Sequence, residues 1–181
     1  MPEGTADILL IGYGNPGRLD DGLGPAIAAR VAELDLADVT VDSDYQLTVE
    51  DAAAIAEHEV VIFADADAAG PEPFSFRPVE PQRGDGFSTH SIEPAAVLAL
   101  ARDLFNASTR GYILGIRGYE FNEFGEALSE KARANLHSAL DFIEPRLRQR
   151  DFEPSAAGGD LHPTRGYATI NGEQACATES T

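Results

Sequence analysis

The sequence predicts an α/β fold, with three layers, a mostly parallel twisted sheet of about five strands, and helices on both faces. Apolar, β-prone runs alternate along the chain with segments whose apolar residues recur at helical spacing. The run 60–64 is continuously apolar, which is typical of a strand buried on both sides in a parallel sheet. Strands that alternate with helices favour a parallel sheet covered on both faces.

The first predicted unit is a strand, a tight glycine turn, a pair of acids and a helix. The β-prone run begins at Ile8, and the turn leads to Asp20 and Asp21 at the predicted helix start. Pro25 is tolerated in a first helical turn, where its missing N–H is not needed. The apolar residues of the helix recur at helical spacing: Leu23, Ile27, Val31 and Leu34.

Four further strands and three further helices follow in the sequence. Strands are predicted at 39–44, 60–64, 74–79 and 112–116, and the alternating pattern of 74–79 favours an edge strand or hairpin arm. One helix is predicted to begin with Thr48 as its N-cap, the next at Ser91 or Glu93, and the last at Ser129. Residues 1–150 are predicted to form one domain, and 151–181 an acidic tail with Gly, Pro and Thr that remains disordered.

The overall charge and the cysteine content exclude several classes of protein. Of the 181 residues, 31 are acidic and 13 are Lys or Arg, so the formal net charge is −18. Such a surface repels nucleic acid and anionic membranes. The single cysteine, Cys176, excludes an intramolecular disulfide and a multi-cysteine zinc site. With no signal-peptide pattern and no membrane-spanning run, the expected location is the cytoplasm.

Three chemistry-bearing residues are predicted to meet at one edge of the sheet. Asp21 follows the first strand and Asp65 the third, and neighbouring parallel strands direct their carboxyl ends to the same crevice. His90 precedes a helix that returns to that rim. Two carboxylates and an imidazole suit zinc, nickel or a similar cation. Taken singly, these residues have simpler interpretations as helix-dipole compensation, turn formation and an exposed loop histidine.

A dinucleotide site is a competing interpretation of the same turn. The glycines at 12, 14 and 17 match the G-x-G-x-x-G fingerprint after a strand. A pyrophosphate, however, needs free N–H groups at the helix N-terminus, where this chain places Asp20 and Asp21. The charge at this position argues against a dinucleotide. There is also no G-x-S-x-G nucleophile elbow.

These residues resemble a known family, the hydrogenase maturation proteases. The segment 12–24, GYGNPGRLDDGLG, is similar to the N-terminal signature of that family, and Asp65 and His90 stand where the family places its other site residues. The segment 115–129 is similar to the family's late strand-to-helix region, and the resemblance covers about residues 7–148. The family's glycine-rich segment after the second strand is absent, since 44–47 reads DYQL.

The resemblance implies an endopeptidase that removes the C-terminal peptide of a nickel-iron hydrogenase large-subunit precursor after nickel insertion. It implies that Asp21, Asp65 and His90 are both the catalytic and the metal-contacting residues, and that Asp20 is not among them. The nickel is carried by the substrate, although another divalent metal at the site is possible. The precursor is the expected partner, and a monomer that binds neither nucleic acid nor membrane is expected. Either metal-activated water or a carboxylate base is compatible with this site.

Two other functions are compatible with parts of the sequence. A peptidyl-tRNA hydrolase-like esterase has a related Gly-Asn-Pro-Gly turn after its first strand, but it needs a histidine soon afterwards and a surface that tolerates RNA. Here Asp20 and Asp21 occupy that region, and the negative charge opposes phosphate contacts. A non-catalytic chaperone that binds nickel or a peptide is the other alternative, and a cleavage assay separates it from a protease.

Overall fold

The computed structural model describes residues 7–83 and 92–153. The strands are β1 (Ile8–Tyr13), β2 (Val39–Asp44), β3 (Val60–Asp67), β4 (Phe74–Val79) and β5 (Arg110–Arg117). The helices are α1 (Leu23–Ala32), α2 (Asp51–Ala56), α3 (Pro94–Phe105) and α4 (Glu130–Gln149), and a short 3₁₀ helix (Leu19–Gly22) precedes α1. Within these residues no helix combines the length and the apolar character that crossing a membrane requires.

The five strands form one sheet in the order β2-β1-β3-β5-β4. The pairs β1–β2, β1–β3 and β3–β5 are parallel, and only the edge strand β4 is antiparallel, to β5. The predicted fold class is therefore confirmed, as is the predicted edge position of 74–79. The expected neighbourhood of the first and third strands is also confirmed, since Ile8 pairs with Val60 and Gly12 with Ala64.

Helices cover both faces of the sheet. Successive strand residues point to opposite sides, so a continuously apolar strand needs a covering layer on each side. On one face, Ile11 of β1 and Phe63 of β3 are buried in a cluster with Ile55 of α2 and Val97 of α3. The other face is covered by α1, which contacts β1, β2 and β3, and by α4, which contacts β4, β5 and α1. The inner strands β1 and β3 are buried on both sides over most of their length, which explains their continuous apolar runs.

Two helix starts differ in how well the sequence predicted them. Ser129 caps α4 as predicted, because its hydroxyl oxygen accepts a hydrogen bond from the Ala132 N–H at 3.3 Å. Thr48 does not cap α2. Instead its own N–H and hydroxyl donate to Asp51 Oδ2, at 2.7 and 3.3 Å, so α2 begins only at Asp51. The carboxylate of Asp51 attracts these donors more strongly than a hydroxyl oxygen attracts helix amides.

Two predictions fall on parts of the chain outside the described residues. His90 lies in the undescribed segment 84–91, and most of the predicted tail, residues 154–181, is also undescribed. The domain boundary at residue 150 and the disorder of the tail therefore stay predictions.

Candidate functional site

The site lies where the strand order reverses. From β1 the chain moves to β2 on one side, and from β2 it crosses to β3 on the other side of β1. Ligands of open α/β sheets bind at such a switch point, beyond the carboxyl ends of the strands. The pairing of β1 with β3 stops at Ala64, whereas β3 continues beside β5 as far as Asp67. Asp65 is therefore still on a strand, but it lies beyond the end of the β1–β3 ladder.

A cavity of about 260 Å³ occupies this crevice, and both predicted carboxylates line it. Asp21 reaches it from the 3₁₀ helix that follows β1, and Asp65 reaches it from β3. The other walls are Tyr13, Gly14 and the segments 45–47 and 92–94. The structure thus places two of the three sequence-predicted site residues around one cavity. Their catalytic and metal-contacting roles stay predictions.

The turn between β1 and the 3₁₀ helix holds Asp21 in place. The backbone N–H of Asn15 donates to Asp21 Oδ2 at 3.0 Å, and the side-chain oxygen of Asn15 accepts from the Gly17 N–H at 2.9 Å. Gly14 has φ +137°, and a Cβ on it would lie 2.1 Å from the carbonyl oxygen of Asp21, so only glycine fits. The amides of this turn are used within the protein, in keeping with the argument against a dinucleotide.

Asp20 points away from the cavity and is completely buried. Its carboxylate accepts backbone N–H bonds from Tyr119 (2.8 Å), Glu120 (3.0 Å) and Ser129 (2.7 Å), and the Ser129 hydroxyl at 2.8 Å. Burial by itself would raise the pKa of Asp20, but these four hydrogen bonds outweigh it, and the pKa is lowered. Asp20 therefore joins the start of α1 to the loop before α4, a role that the sequence analysis missed.

Asp65 has the opposite electrostatic character. Burial raises the pKa of its carboxyl group to about 7, and the nearby negative charges of Asp21 and Asp67 act in the same direction. Hydrogen bonds from the Ala66 N–H, at 2.7 Å, and from the Tyr13 hydroxyl oppose this shift without cancelling it. A carboxyl group that titrates near neutral pH can either accept or donate a proton, as general acid–base catalysis requires.

The other polar residues at this edge have different functions. Asp67 is a turn residue, because its Oδ1 accepts N–H bonds from Ala69 (2.9 Å) and Gly70 (2.7 Å). Sequence reasoning missed Tyr13 and Glu93, which both line the cavity. The glycines beside Tyr13 drew attention to the turn rather than to its hydroxyl. The position of Glu93 before Pro94 indicates only a helix start, and it does precede α3.

The described residues alone do not complete a metal site. In that part of the chain, no three His, Cys, Asp or Glu side chains are close enough to hold an ion together. The two carboxylates on the cavity are nevertheless suitable oxygen ligands. Their negative charges repel each other, and a cation between them would reduce this repulsion. The cavity therefore suits a divalent cation with at least one further ligand. His90 is the predicted candidate, outside the described residues.

A larger cavity, of about 400 Å³, lies at the opposite edge of the sheet, beside the first residues of β3 and β5. Its one imidazole belongs to His58, whose nitrogens contact the Ala54 carbonyl oxygen at 2.7 Å and the Thr40 hydroxyl at 3.1 Å. Both ring nitrogens are therefore engaged within the protein. The smaller cavity, with its perturbed carboxyl group, is the better candidate for a functional site.

Comparison with solved structures identifies a shared fold. The chain is similar to the crystal structure of a [NiFe] hydrogenase maturation protease, HycI, from Thermococcus kodakarensis KOD1, with 24% identity, 81% of this chain and 95% of that chain covered, and a TM-score of 0.63. It is similar to the hydrogenase maturating endopeptidase HybD from E. coli, with 20% identity, 79% and 93% covered, and a TM-score of 0.62.

A third similar structure is the hydrogenase 2 maturation peptidase from a Thaumarchaeota archaeon, with 23% identity, 78% of this chain and 97% of that chain covered, and a TM-score of 0.57. No protein-family model and no curated protein matches the chain. The chain therefore has the α/β fold seen in these maturation proteases, almost over their full length. At these identities the similarity establishes the fold, and activity has to be argued from the site.

Proposed function

We propose that this protein is a hydrogenase maturation protease, an endopeptidase that removes the C-terminal peptide from a nickel-iron hydrogenase large-subunit precursor. The observation that carries the proposal is the shared cavity of Asp21 and Asp65 at the switch point of a fold that maturation proteases also have. The proposal includes cleavage after nickel insertion, with the nickel belonging to the substrate and with Asp21, Asp65 and His90 in contact with it.

The two carboxyl groups are suited to different parts of this reaction. Asp21 is fixed by the Asn15 N–H and supplies a carboxylate ligand for a cation. Asp65 has a pKa raised to about 7, so near neutral pH it can accept a proton from the attacking water and return it to the leaving amine. A bound cation would favour the ionised form of Asp65, in which the carboxylate is a ligand instead. His90 supplies the third contact in this proposal.

A cleavage assay with purified precursor tests the proposal. The precursor is prepared with and without nickel and incubated with the protein, and loss of its C-terminal peptide is followed by intact mass. We expect cleavage of the nickel-loaded form only. Asp21→Asn, Asp65→Asn and His90→Ala should each fold and lose at least about 100-fold in rate, as expected when an acid–base group or ligand is removed. Equal cleavage of the metal-free precursor would refute the nickel requirement.

Asp42→Asn is a matched control, because it removes one exposed carboxylate from β2 without touching the cavity. Its rate should stay within about twofold of the wild type, as for most surface substitutions. Hydrolysis of peptidyl-tRNA would support the esterase instead. Tight binding of the loaded precursor without any cleavage would support a chaperone and contradict the protease.

A further inference from the structure

A second cluster of charged and aromatic side chains lies at the same edge of the sheet, on the side of β5. Two cations approach one ring: Arg117 Cζ is 5.4 Å, and Lys131 Nζ 5.3 Å, from the centroid of Tyr119. The ring is fixed through its hydroxyl, which donates to Glu72 at 2.6 Å and accepts from the Asn135 amide at 3.0 Å. The distances of Arg117 and Lys131 from the ring centroid are within cation–π range. This arrangement holds two positive charges beside one rigid surface.

Neither cation is neutralised by a carboxylate at ion-pair distance among the described residues. Arg117 donates through Nη1 to the Gly70 carbonyl oxygen, while its buried Nε has no acceptor there. Lys131 lies with its Nζ over the ring of Tyr119. A buried N–H without an acceptor costs about 1–3 kcal/mol, and such groups in a native structure call for an explanation, of which an absent ion or ligand is one.

The place of Lys131 in its helix makes it more unusual. It is the only lysine in the chain, and it is the second residue of α4. The N-terminus of a helix carries partial positive charge, which disfavours a cation and favours an anion. The carboxylate of Asp20, which accepts the Ser129 N–H, and Glu130 in the first turn already offset part of this repulsion, and the ring of Tyr119 faces the charge of Lys131. An anion here is favoured by the charges of Lys131 and Arg117.

Acidic side chains also belong to the surroundings of the cluster. The carboxylate of Asp20 accepts the Tyr119 N–H, and that of Asp67 accepts the N–H of Gly70, whose carbonyl oxygen Arg117 binds. Glu72 is exposed and uses one oxygen to accept from Tyr119, and Glu130 precedes Lys131, so that its side chain points about 100° away around the helix. Neither makes an ion pair with Arg117 or Lys131. The carboxylates around the cluster are therefore at least as many as its two cations, and what favours an anion here is the lack of an ion pair at Arg117 and Lys131 within the described part of the chain, rather than a net positive charge.

The cluster is connected to the candidate site through the sheet. Arg117 pairs in register with Asp67 of β3, and the Gly118 N–H donates to the Asp67 carbonyl oxygen at 3.0 Å. Asp65 lies two residues before Asp67 on the same strand. A peptide that reaches Asp65 can thus extend toward Arg117 along the same edge.

We propose that Arg117, Tyr119 and Lys131 form a carboxylate-binding subsite for the peptide substrate. Its role in cleavage rests on the proposed function, whereas carboxylate binding itself does not. Arg117 and Lys131 donate to the carboxylate, and Tyr119 holds both cations in place. The carboxylate comes either from an acidic side chain or from the C-terminus of the peptide.

The single lysine provides a direct probe for this subsite. Reductive ¹³C-methylation labels only Lys131 and the chain's α-amino group, and it keeps the charge of the lysine. The labelled protein is titrated by NMR with Ac-Ala-Ala-Asp-Ala-NH₂, with Ac-Ala-Ala-Ala-Ala-OH, and with neutral Ac-Ala-Ala-Ala-Ala-NH₂. We expect a saturable shift of the Lys131 signal with at least one carboxylate peptide and none with the neutral peptide. The responding peptide identifies the source of the carboxylate.

Two variants and a control test whether the cluster is responsible for carboxylate binding. Arg117→Gln should weaken carboxylate binding roughly tenfold, as for loss of a charge-assisted hydrogen bond, while exposed Arg133→Gln on the same helix turn as Lys131 should change nothing. If Arg117→Gln does not fold, Lys131→Gln, at an exposed position, is measured by calorimetry with the same peptides. No saturable shift, or an equal response to the neutral peptide or to sodium phosphate, would overturn the proposal.

Cleavage gives an independent readout. If the wild type processes a precursor, Lys131→Gln should raise KM and leave kcat unchanged, because the subsite binds the peptide away from the reacting atoms. An unchanged KM would refute the subsite and leave the protease proposal intact. If the wild type cleaves nothing, the proposed function fails, and the NMR titration still decides whether the subsite binds carboxylates.

Discussion

Asp20 and Asp65 lie at the same edge of the sheet, and burial opposes the ionisation of both, but their pKa values move in opposite directions. Asp20 is completely buried and accepts four hydrogen bonds from two segments of the loop before α4. Asp65 has two hydrogen-bond donors and two carboxylate neighbours. The comparison shows that four hydrogen-bond donors outweigh burial at Asp20, whereas two donors do not at Asp65, so the number of donors decides which carboxyl stabilises the fold and which stays available for chemistry.

Removing the charge of Asp20 should have the largest effect on stability. Asp20→Asn leaves one oxygen to accept hydrogen bonds and turns an NH₂ group toward donors, so either the Ser129 N–H or the three donors to Oδ2 lose their acceptor. We expect the free energy of unfolding to fall by about 3 kcal/mol or more, because the charge is lost together with an acceptor, measured by urea denaturation at neutral pH. Asp141→Asn, an exposed position on α4, is the control. A loss below about 1 kcal/mol would mean that donors do not stabilise Asp20 as described.

Asp65→Asn should change the pH dependence of stability. The pKa of Asp65 is about 7 in the folded protein, above its ordinary 3.8, so the folded state binds more protons between these values and the wild type loses stability as pH rises through them. The variant lacks this loss. Its stability relative to wild type should therefore grow by about 3 kcal/mol between about pH 4 and about pH 8. A difference that does not vary with pH in urea titrations would contradict the raised pKa.

Ser129→Ala should have an intermediate effect, because it removes one of the four donors to Asp20. The variant also loses the acceptor for the Ala132 N–H at the start of α4. We expect a loss of about 1.5 kcal/mol in the free energy of unfolding, partly restored in Ser129→Thr. A loss equal to that of Asp20→Asn would show that the hydroxyl, and not the three backbone amides, is the decisive donor.

Tyr13→Phe should have the smallest effect, and it acts on Asp65 rather than on Asp20. The Tyr13 hydroxyl stabilises ionised Asp65, so its removal should raise the pKa of Asp65 further above about 7. The change is expected to be worth less than about 1 kcal/mol, and ¹³C NMR of the carboxyl carbon measures it. Tyr13→His, which can still donate a hydrogen bond, is the matched variant. A lower pKa in Tyr13→Phe would mean that the hydroxyl favours the protonated form.

The sequence predicted the fold well because its information is local. Apolar runs and helical spacing predicted the strands and helices, and parallel strands placed Asp21 and Asp65 at the same edge. The long-range contacts were not predictable in this way. The donors to Asp20 lie about 100 residues away in sequence, and β3 extends past Ala64 because β5 pairs with it as far as Asp67. Neither the donors nor the pairing partner can be read from the spacing around these residues.

Asp20 and Asp21 are adjacent in a 3₁₀ helix, so a change of one residue in the length of this turn changes which side chain faces the buried donors and which faces the cavity. Each residue advances the helix by about 120°, so a single insertion before Leu19 would turn Leu19 toward the four buried donors and prevent folding. A single deletion there would act differently. It would move Asp21 into the buried position and Gly22 to the cavity, leaving the loop joined to α1 while the cavity loses a carboxylate. A one-residue insertion would therefore prevent folding, whereas a one-residue deletion would leave the protein folded and remove a carboxylate from the cavity.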